Sequence, residues 1–301
     1  MQSDDTKMIM GHPAALFILF FTEMWERFSY YGMRAILVLY LTAKATTDNP
    51  GLGWENTSAL ELYGWYTMMV YVMSVPGGLL ADRLLGQKKA VMLGGVLLCM
   101  GHLILAWDTV YAFYTGLVFI VLGVGALKPN ISTMVGGLYK KGDGRRDAGF
   151  TIFYIGINIG AFSAPLLVGY VGEEINWHYG FGLAAIGMAI GQIVYVMGQK
   201  HLKGIGDFSP PSRVDGKLKS TPLTQDEKDR LKVLLLSFVV VVVFWGAYEQ
   251  AGGLMNLYAK EKIDRVMFGF TVPASFLEAL HAFYVILIGA PIAYFWNQWR
   301  K

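Results

Sequence analysis

AALFILFFTEMWERFSYYGMRAILVLYL, residues 14–41, is an apolar run that nevertheless carries Glu23, Glu26, Arg27 and Arg34. A bilayer core is crossed by about 20 apolar helical residues, and this run is longer. Counted from Glu23, the residues Glu26, Arg27, Tyr30, Tyr31 and Arg34 follow at three, four, seven, eight and eleven positions, so a helix places all of them on one face. A charge at the bilayer centre costs about 3 kcal/mol or more on insertion scales, so such a face must look into a polar interior and not into lipid. The plain alternative is that Glu23 and Arg27, four apart, are a structural pair that neutralises itself. Arg34 argues against that alternative, because no acid lies near it in sequence.

The rest of the chain agrees with a polytopic membrane protein. Over 301 residues, 54% are hydrophobic and 16% charged, with a mean hydropathy of +0.43, which is far from a soluble domain. Apolar runs give eight expected spans, near 14–41, 59–81, 90–107, 111–138, 148–171, 179–199, 231–257 and 272–297. Glycines stud several of them, as at Gly156, Gly160 and Gly169, where they permit close helix packing in lipid. The run Val239 to Val243 has strand propensity, but a lone strand leaves its backbone unsatisfied in hydrocarbon, so it is expected to be helical. The first run holds too many charges for a cleavable signal core and is read as a retained span.

Cations set the orientation. Arg83, Lys88 and Lys89 follow span two, Lys140, Lys141, Arg145 and Arg146 follow span four, and a basic cluster follows span six. That side, with the N-terminus, is expected to be cytoplasmic. A polar stretch with Pro210, Pro211 and Pro222 reads as a linker. The expected division is an N-terminal six-helix bundle over 1–200, a cytoplasmic linker over 201–230, and a partial second bundle of two spans over 231–301.

Two more intramembrane charges complete the candidate set. Lys128, in GALKPNIS, needs an acid or an anionic ligand to stay charged, and the first-span glutamates are its natural partners. Glu249, in FWGAYEQAGG, is placed to meet Arg34 across a central cavity. Carboxylates that gain and lose a cation as the protein moves can take up a proton in one state and release it in another. One proton moving down about 100 mV and one pH unit supplies roughly 2.3 plus 1.4 kcal/mol, enough for several-hundredfold accumulation of a neutral solute.

Several classes are disfavoured. The net charge of +3 forms no basic stripe, so nucleic acid is not an expected partner. Cys99 is the single cysteine, and no histidine is assigned to a metal. The phosphate-loop, HExxH and GxSxG signatures of common enzymes are absent from the sequence.

Three segments carry a family resemblance. EMWERFSYYG, Glu23 to Gly32, resembles the ExxERFxYYG motif of the proton-dependent oligopeptide transporters (POT/PTR2), within the major facilitator superfamily. GGLLADRLLG, Gly77 to Gly86, is similar to the superfamily loop between spans two and three, and FYIGINIGA, Phe153 to Ala161, is similar to FYxxINxGS/A. The resemblance implies an all-α major facilitator fold and a symporter importing di- and tripeptides with protons by alternating access, without a cofactor, in the bacterial inner membrane. It implies that Glu23, Glu26 and Arg27 act in proton coupling with Lys128, and that Arg34 and Glu249 form a proton-sensitive pair. Lys128 and the arginines would receive the peptide carboxylate, and Tyr30, Tyr31, Tyr71 and Asn158 would touch substrate. Asp82 and Arg83 would form salt bridges and cap helix ends in a gating loop.

The sequence departs from the family at FLEALHAF, where His281 and Ala282 stand in place of Asn-Pro and Glu278 in place of glutamine. His281 is open between a peptide contact and plain packing. The linker is too short for the extra helix pair of many bacterial relatives. Two six-helix halves are the family pattern, so the chain is expected to be C-terminally incomplete. Two other readings stay open: a same-fold carrier of another small solute, and a non-transporting truncated membrane protein. Oligomeric state is not legible in the sequence.

Overall fold

The structure is a computed structural model that describes residues 7–209, 213–214, 217–218 and 223–299. Pro210, Pro211 and Pro222 of the expected linker lie outside the described residues, as do Arg300 and Lys301. The helices are α1 (Ala14–Thr42), α2 (Asn56–Val72), α3 (Ser74–Leu80), α4 (Gln87–Leu105), α5 (Val110–Gly137), α6 (Arg146–Tyr170), α7 (Trp177–Gly198), α8 (Gln225–Tyr248), α9 (Leu254–Lys262) and α10 (Phe276–Trp299). Each of the eight expected spans is helical. Span two is α2 and α3 joined at Met73, and the break has a local cause: Pro76 cannot donate to the Val72 carbonyl and its ring crowds it. Span seven is α8 and α9, joined by a 3₁₀ turn over Glu249–Gly252.

Among the described residues, six helical segments are long and apolar enough to cross a membrane. The first helix is not one of them, although it has 29 residues. Charge, not length, disqualifies it, since every 18-residue stretch of α1 contains at least three of Glu23, Glu26, Arg27 and Arg34. Those side chains are buried at 0–4% exposure, so α1 is a central helix screened from lipid by its neighbours.

α1 packs along α6 and α7, α4 along α5 and α7, and α10 against α6. Gly160 shows how close α1 and α6 come: a Cβ there would lie 2.3 Å from the Met24 carbonyl oxygen. Gly160→Ala is therefore expected to destabilise the bundle by about 1–3 kcal/mol through overpacking, read as a lower melting temperature in detergent. An unchanged melting temperature would mean that α1 and α6 separate without cost.

Val239 to Val243 are helical within α8, and the apolar window of that span has no buried residue. Its first turn is fixed locally by a capping box, Thr224 accepting from Glu227 N and Glu227 accepting from Thr224 N at 2.8 Å.

One end of the bundle gathers the cation-rich loops. The Lys88 amide donates to the Gly206 carbonyl and its ammonium pairs with Asp207 at 3.1 Å. Arg145 donates to the Gly11 carbonyl, and His12 meets the Tyr139 hydroxyl at 2.8 Å. Hydrogen bonds from the Arg145 guanidinium hold the Asp143 carboxyl down to about 2, so this clasp is intact above the usual carboxylate range and is lost only as pH falls through about 2.

The loop expected to gate carries no such salt bridge in this conformation. Asp82 and Arg83 are exposed on a wide turn, Ala81–Leu85, and neither forms a hydrogen bond or ion pair among the described residues. The turn is closed instead by Gly86, whose φ of +78° favours glycine and whose amide donates to the Ala81 carbonyl. The two charges point into solvent, where pairing gains little.

Candidate functional site

The intramembrane charges form two clusters, both anchored on α1. In the first, Arg27 Nε lies 3.1 Å from Glu23 Oε1 and also bonds Glu26 Oε2. All three side chains are at most 3% exposed. Glu23 Oε2, Glu26 Oε1 and Arg27 Nη2 are buried without a hydrogen-bond partner among the described residues. Buried polar atoms are rarely left so; the two carboxylate oxygens can accept a proton or a hydrogen bond, and Arg27 Nη2 can donate one.

The second cluster joins α1 to the 3₁₀ turn that follows α8 and to α10. Arg34 Nη1 donates to Glu249 Oε2 at 2.6 Å, Nε donates to Glu278 Oε1 at 2.9 Å, and Nη2 also donates to Glu278 Oε1. Glu249 is further held by Tyr71, whose hydroxyl donates to its Oε1 at 2.8 Å, and by Tyr63, which donates to its backbone carbonyl at 2.7 Å. Nearby, Asn256 of α9 donates to the Ala35 carbonyl at 2.6 Å and pins α9 to α1.

Glu278 reaches Arg34 because the start of α10 is docked. Glu173 accepts from the amides of Ala274 and Ser275 at 3.0 and 2.9 Å, so a carboxylate sits at the helix N-terminus, where donors are unpaired and the dipole favours it. Glu278 is the member of the site that the sequence reading did not assign. The signal was available: it is a carboxylate inside an apolar span, the feature that singled out the others.

A cavity of about 390 Å³ lies between the clusters, lined by Glu23, Arg27, Tyr31, Arg34, Tyr71 and Lys128 and reaching Asn158, Trp245, Tyr248, Glu278 and His281. That volume suits a small organic ligand. The geometry separates the expected residues. Tyr31, Tyr71, Lys128, Asn158 and His281 line the cavity, while Tyr30 and Glu26 are buried behind it. Arg34 sits over the Tyr31 ring at 4.7 Å, and Tyr248 meets the His281 ring edge-on at 5.2 Å. The Asn158 amide donates to the Tyr154 carbonyl one turn back, at 2.9 Å.

Lys128 differs from its expectation. Its ammonium rests 4.6 Å from the centre of the Tyr71 ring, and among the described residues no carboxylate lies within ion-pair distance of it. The reason is competition on α1, where Arg27, one turn from Glu23 and adjacent to Glu26, engages both glutamates. Lys128 therefore presents an unpaired cation to the cavity, while the three guanidinium nitrogens of Arg34 are all engaged. An unpaired lysine in an enclosed site is a receptor for an anionic group.

Comparison with known proteins gives one answer. The pattern of the POT family (PTR2) matches residues 88–218 and 209–300. The chain is 36% identical to the uncharacterized transporter YclF of Bacillus subtilis (strain 168), covering 98% of this chain and 70% of that one. It is 36% identical to a di-/tripeptide transporter of Lactococcus lactis subsp. cremoris, covering 97% and 71%. Among solved structures, the peptide transporter POT in complex with sulfate superimposes with a TM-score of 0.81 at 34% identity, over 97% of this chain and 70% of that one. The alignment to YclF runs over 345 residues, more than the 301 here, so that relative has residues inside the matched region that this chain lacks.

Proposed function

The chain belongs to the POT family and has its major-facilitator-type fold, and on that premise we propose that it is a proton-coupled symporter importing di- and tripeptides by alternating access. The observation that carries the proposal is the cavity itself, with an unpaired Lys128 on one wall and carboxylate-guanidinium clusters on the others.

In this reading the peptide carboxylate binds Lys128, and Tyr31, Tyr71 and Asn158 meet the peptide backbone, which phenols and amides do without dictating side chains. A proton arriving at Glu249 cancels its charge and loosens its bond to Arg34. The contact between α1 and the α8–α10 segment then opens, and one group of helices rocks against the other. Glu23 and Glu26 hold the proton that is exchanged during the cycle, and Arg27, bonded to both, is the fixed cation of the coupling site. Asp82 and Arg83 would form their salt bridges in a different conformation of the same cycle. In this reading residues 1–200 form one bundle, 201–230 the linker and 231–301 part of the second bundle, with α8 already begun at Gln225. The protein lies in the bacterial inner membrane with its cation-rich end, and so its N-terminus, in the cytoplasm. Its partners are small peptides, protons and lipid, without a cofactor.

Uptake of labelled Ala-Ala into membrane vesicles under an imposed proton gradient tests this. Accumulation that collapses on adding a protonophore is expected; absent uptake, or uptake indifferent to the gradient, overturns the proposal. Competition by di- and tripeptides separates it from a carrier of another small solute. Lys128→Gln is expected to weaken Ala-Ala binding by about 2 kcal/mol or more, roughly thirtyfold, because it removes the cation facing the carboxylate. Unchanged affinity would place the carboxylate elsewhere.

A further inference from the structure

We infer that Glu278 makes this cavity selective for peptides bearing a cationic side chain, lysine or arginine, over neutral peptides of the same shape. The inference rests on the peptide-carrier reading above and names the substrate class within it. Three observations carry it.

The first is the state of Arg34. Its Nε and Nη2 are on Glu278 and its Nη1 is on Glu249, so one cation is shared by two carboxylates and this wall is anionic. The second is the remaining oxygen of Glu278. Oε2 is buried and has no hydrogen-bond partner among the described residues, while the side chain is 6% exposed and lines the cavity. A carboxylate oxygen in that condition lacks a donor, and ammonium and guanidinium groups are rich in donors.

The third is the charge of the whole site. Around the cavity stand the cations Arg27, Arg34 and Lys128 and the carboxylates Glu23, Glu26, Glu249 and Glu278. With the exchangeable proton released, four carboxylates against three cations leave one formal negative charge in a low-dielectric setting, where an uncompensated charge is costly. A zwitterionic peptide brings no net charge and leaves the surplus in place. A peptide with a basic side chain cancels it. The carboxylate of that peptide goes to Lys128 and its cationic side chain goes to Glu278, and the two groups stand on different helices, α5 and α10. His281 lies one turn beyond Glu278 on α10 and also lines the cavity, its ring edge-on to Tyr248.

Direct binding to the purified protein in lipid nanodiscs at fixed pH tests the inference, with Ala-Lys compared with Ala-norleucine, which has no terminal ammonium. The native protein is expected to bind Ala-Lys roughly tenfold or more tightly, in the range of close charge pairs. In E278Q that ratio is expected to shrink to within about twofold, whatever the absolute affinities, while E278D keeps the preference. Equal binding of the two peptides by the native protein, or an undiminished preference in E278Q, overturns the inference and leaves peptide transport standing. If E278Q binds neither peptide, E278D decides, a lost preference there overturning the inference. Binding of neither peptide by the native protein overturns the peptide-carrier reading itself, and the inference with it.

Discussion

Replacing Arg34 with alanine is expected to destabilise the protein by about 3–5 kcal/mol, the cost of breaking a buried ion pair by removing one partner. Arg34 neutralises two carboxylates at once, and its removal leaves Glu249 and Glu278 facing each other in a site where both side chains are at most 10% exposed. Tyr71 and Tyr63 still hold Glu249, but Glu278 would lose the partner of its only bonded oxygen among the described residues. A lower melting temperature in detergent, together with loss of peptide accumulation, is the expected pair of results. The double substitution Arg34→Ala with Glu278→Gln removes one of the stranded charges and is expected to recover part of the melting temperature. If the double variant melts no higher than the single one, charge burial is not what Arg34 relieves.

Glu26→Gln is expected to remove concentrative uptake. A driving force of about 2.3 plus 1.4 kcal/mol supports accumulation of several hundredfold, and without a transferable proton the inside concentration should rise only to that outside. The geometry makes this variant informative. Glu26 Oε2 is bonded to Arg27 and Oε1 is buried without a partner, so a glutamine can keep its carbonyl oxygen on Arg27 and direct its amide to the vacant side. The shape is preserved and the exchangeable proton is lost. The ratio of internal to external labelled Ala-Ala at steady state is the measurement. An unchanged, gradient-dependent ratio would move coupling to another carboxylate.

Much of the fold was legible because its causes are local. A span is a length of apolar sequence, and Gln87 to Leu105 or Val110 to Gly137 form helices because hydrocarbon leaves their backbones no other partner. The shared face of Glu23, Arg27, Tyr31 and Arg34 follows from helical period alone. The site was only half legible. The Glu249–Arg34 contact follows from charge, yet in sequence Glu278 stands out as a departure from a motif and not as a second carboxylate for the same guanidinium. The first-span glutamates look like natural partners of Lys128 because sequence shows charges but not which of them is already engaged.

The sequence by itself determined the membrane class, the helicity of the eight expected stretches, the family and the fact that α1 turns a charged face inward, because hydrophobic length and helical period are properties of short stretches. Only the tertiary structure decided how the charges pair. Arg34 meets partners 215 and 244 positions away, a separation that no local pattern encodes. Which carboxylates saturate Arg34, why Lys128 stays unpaired, and which oxygen of Glu278 lacks a donor depend on helix docking through contacts such as Glu173 with the start of α10. Those contacts are set by packing, and they turn a row of charges into two clusters around a cavity.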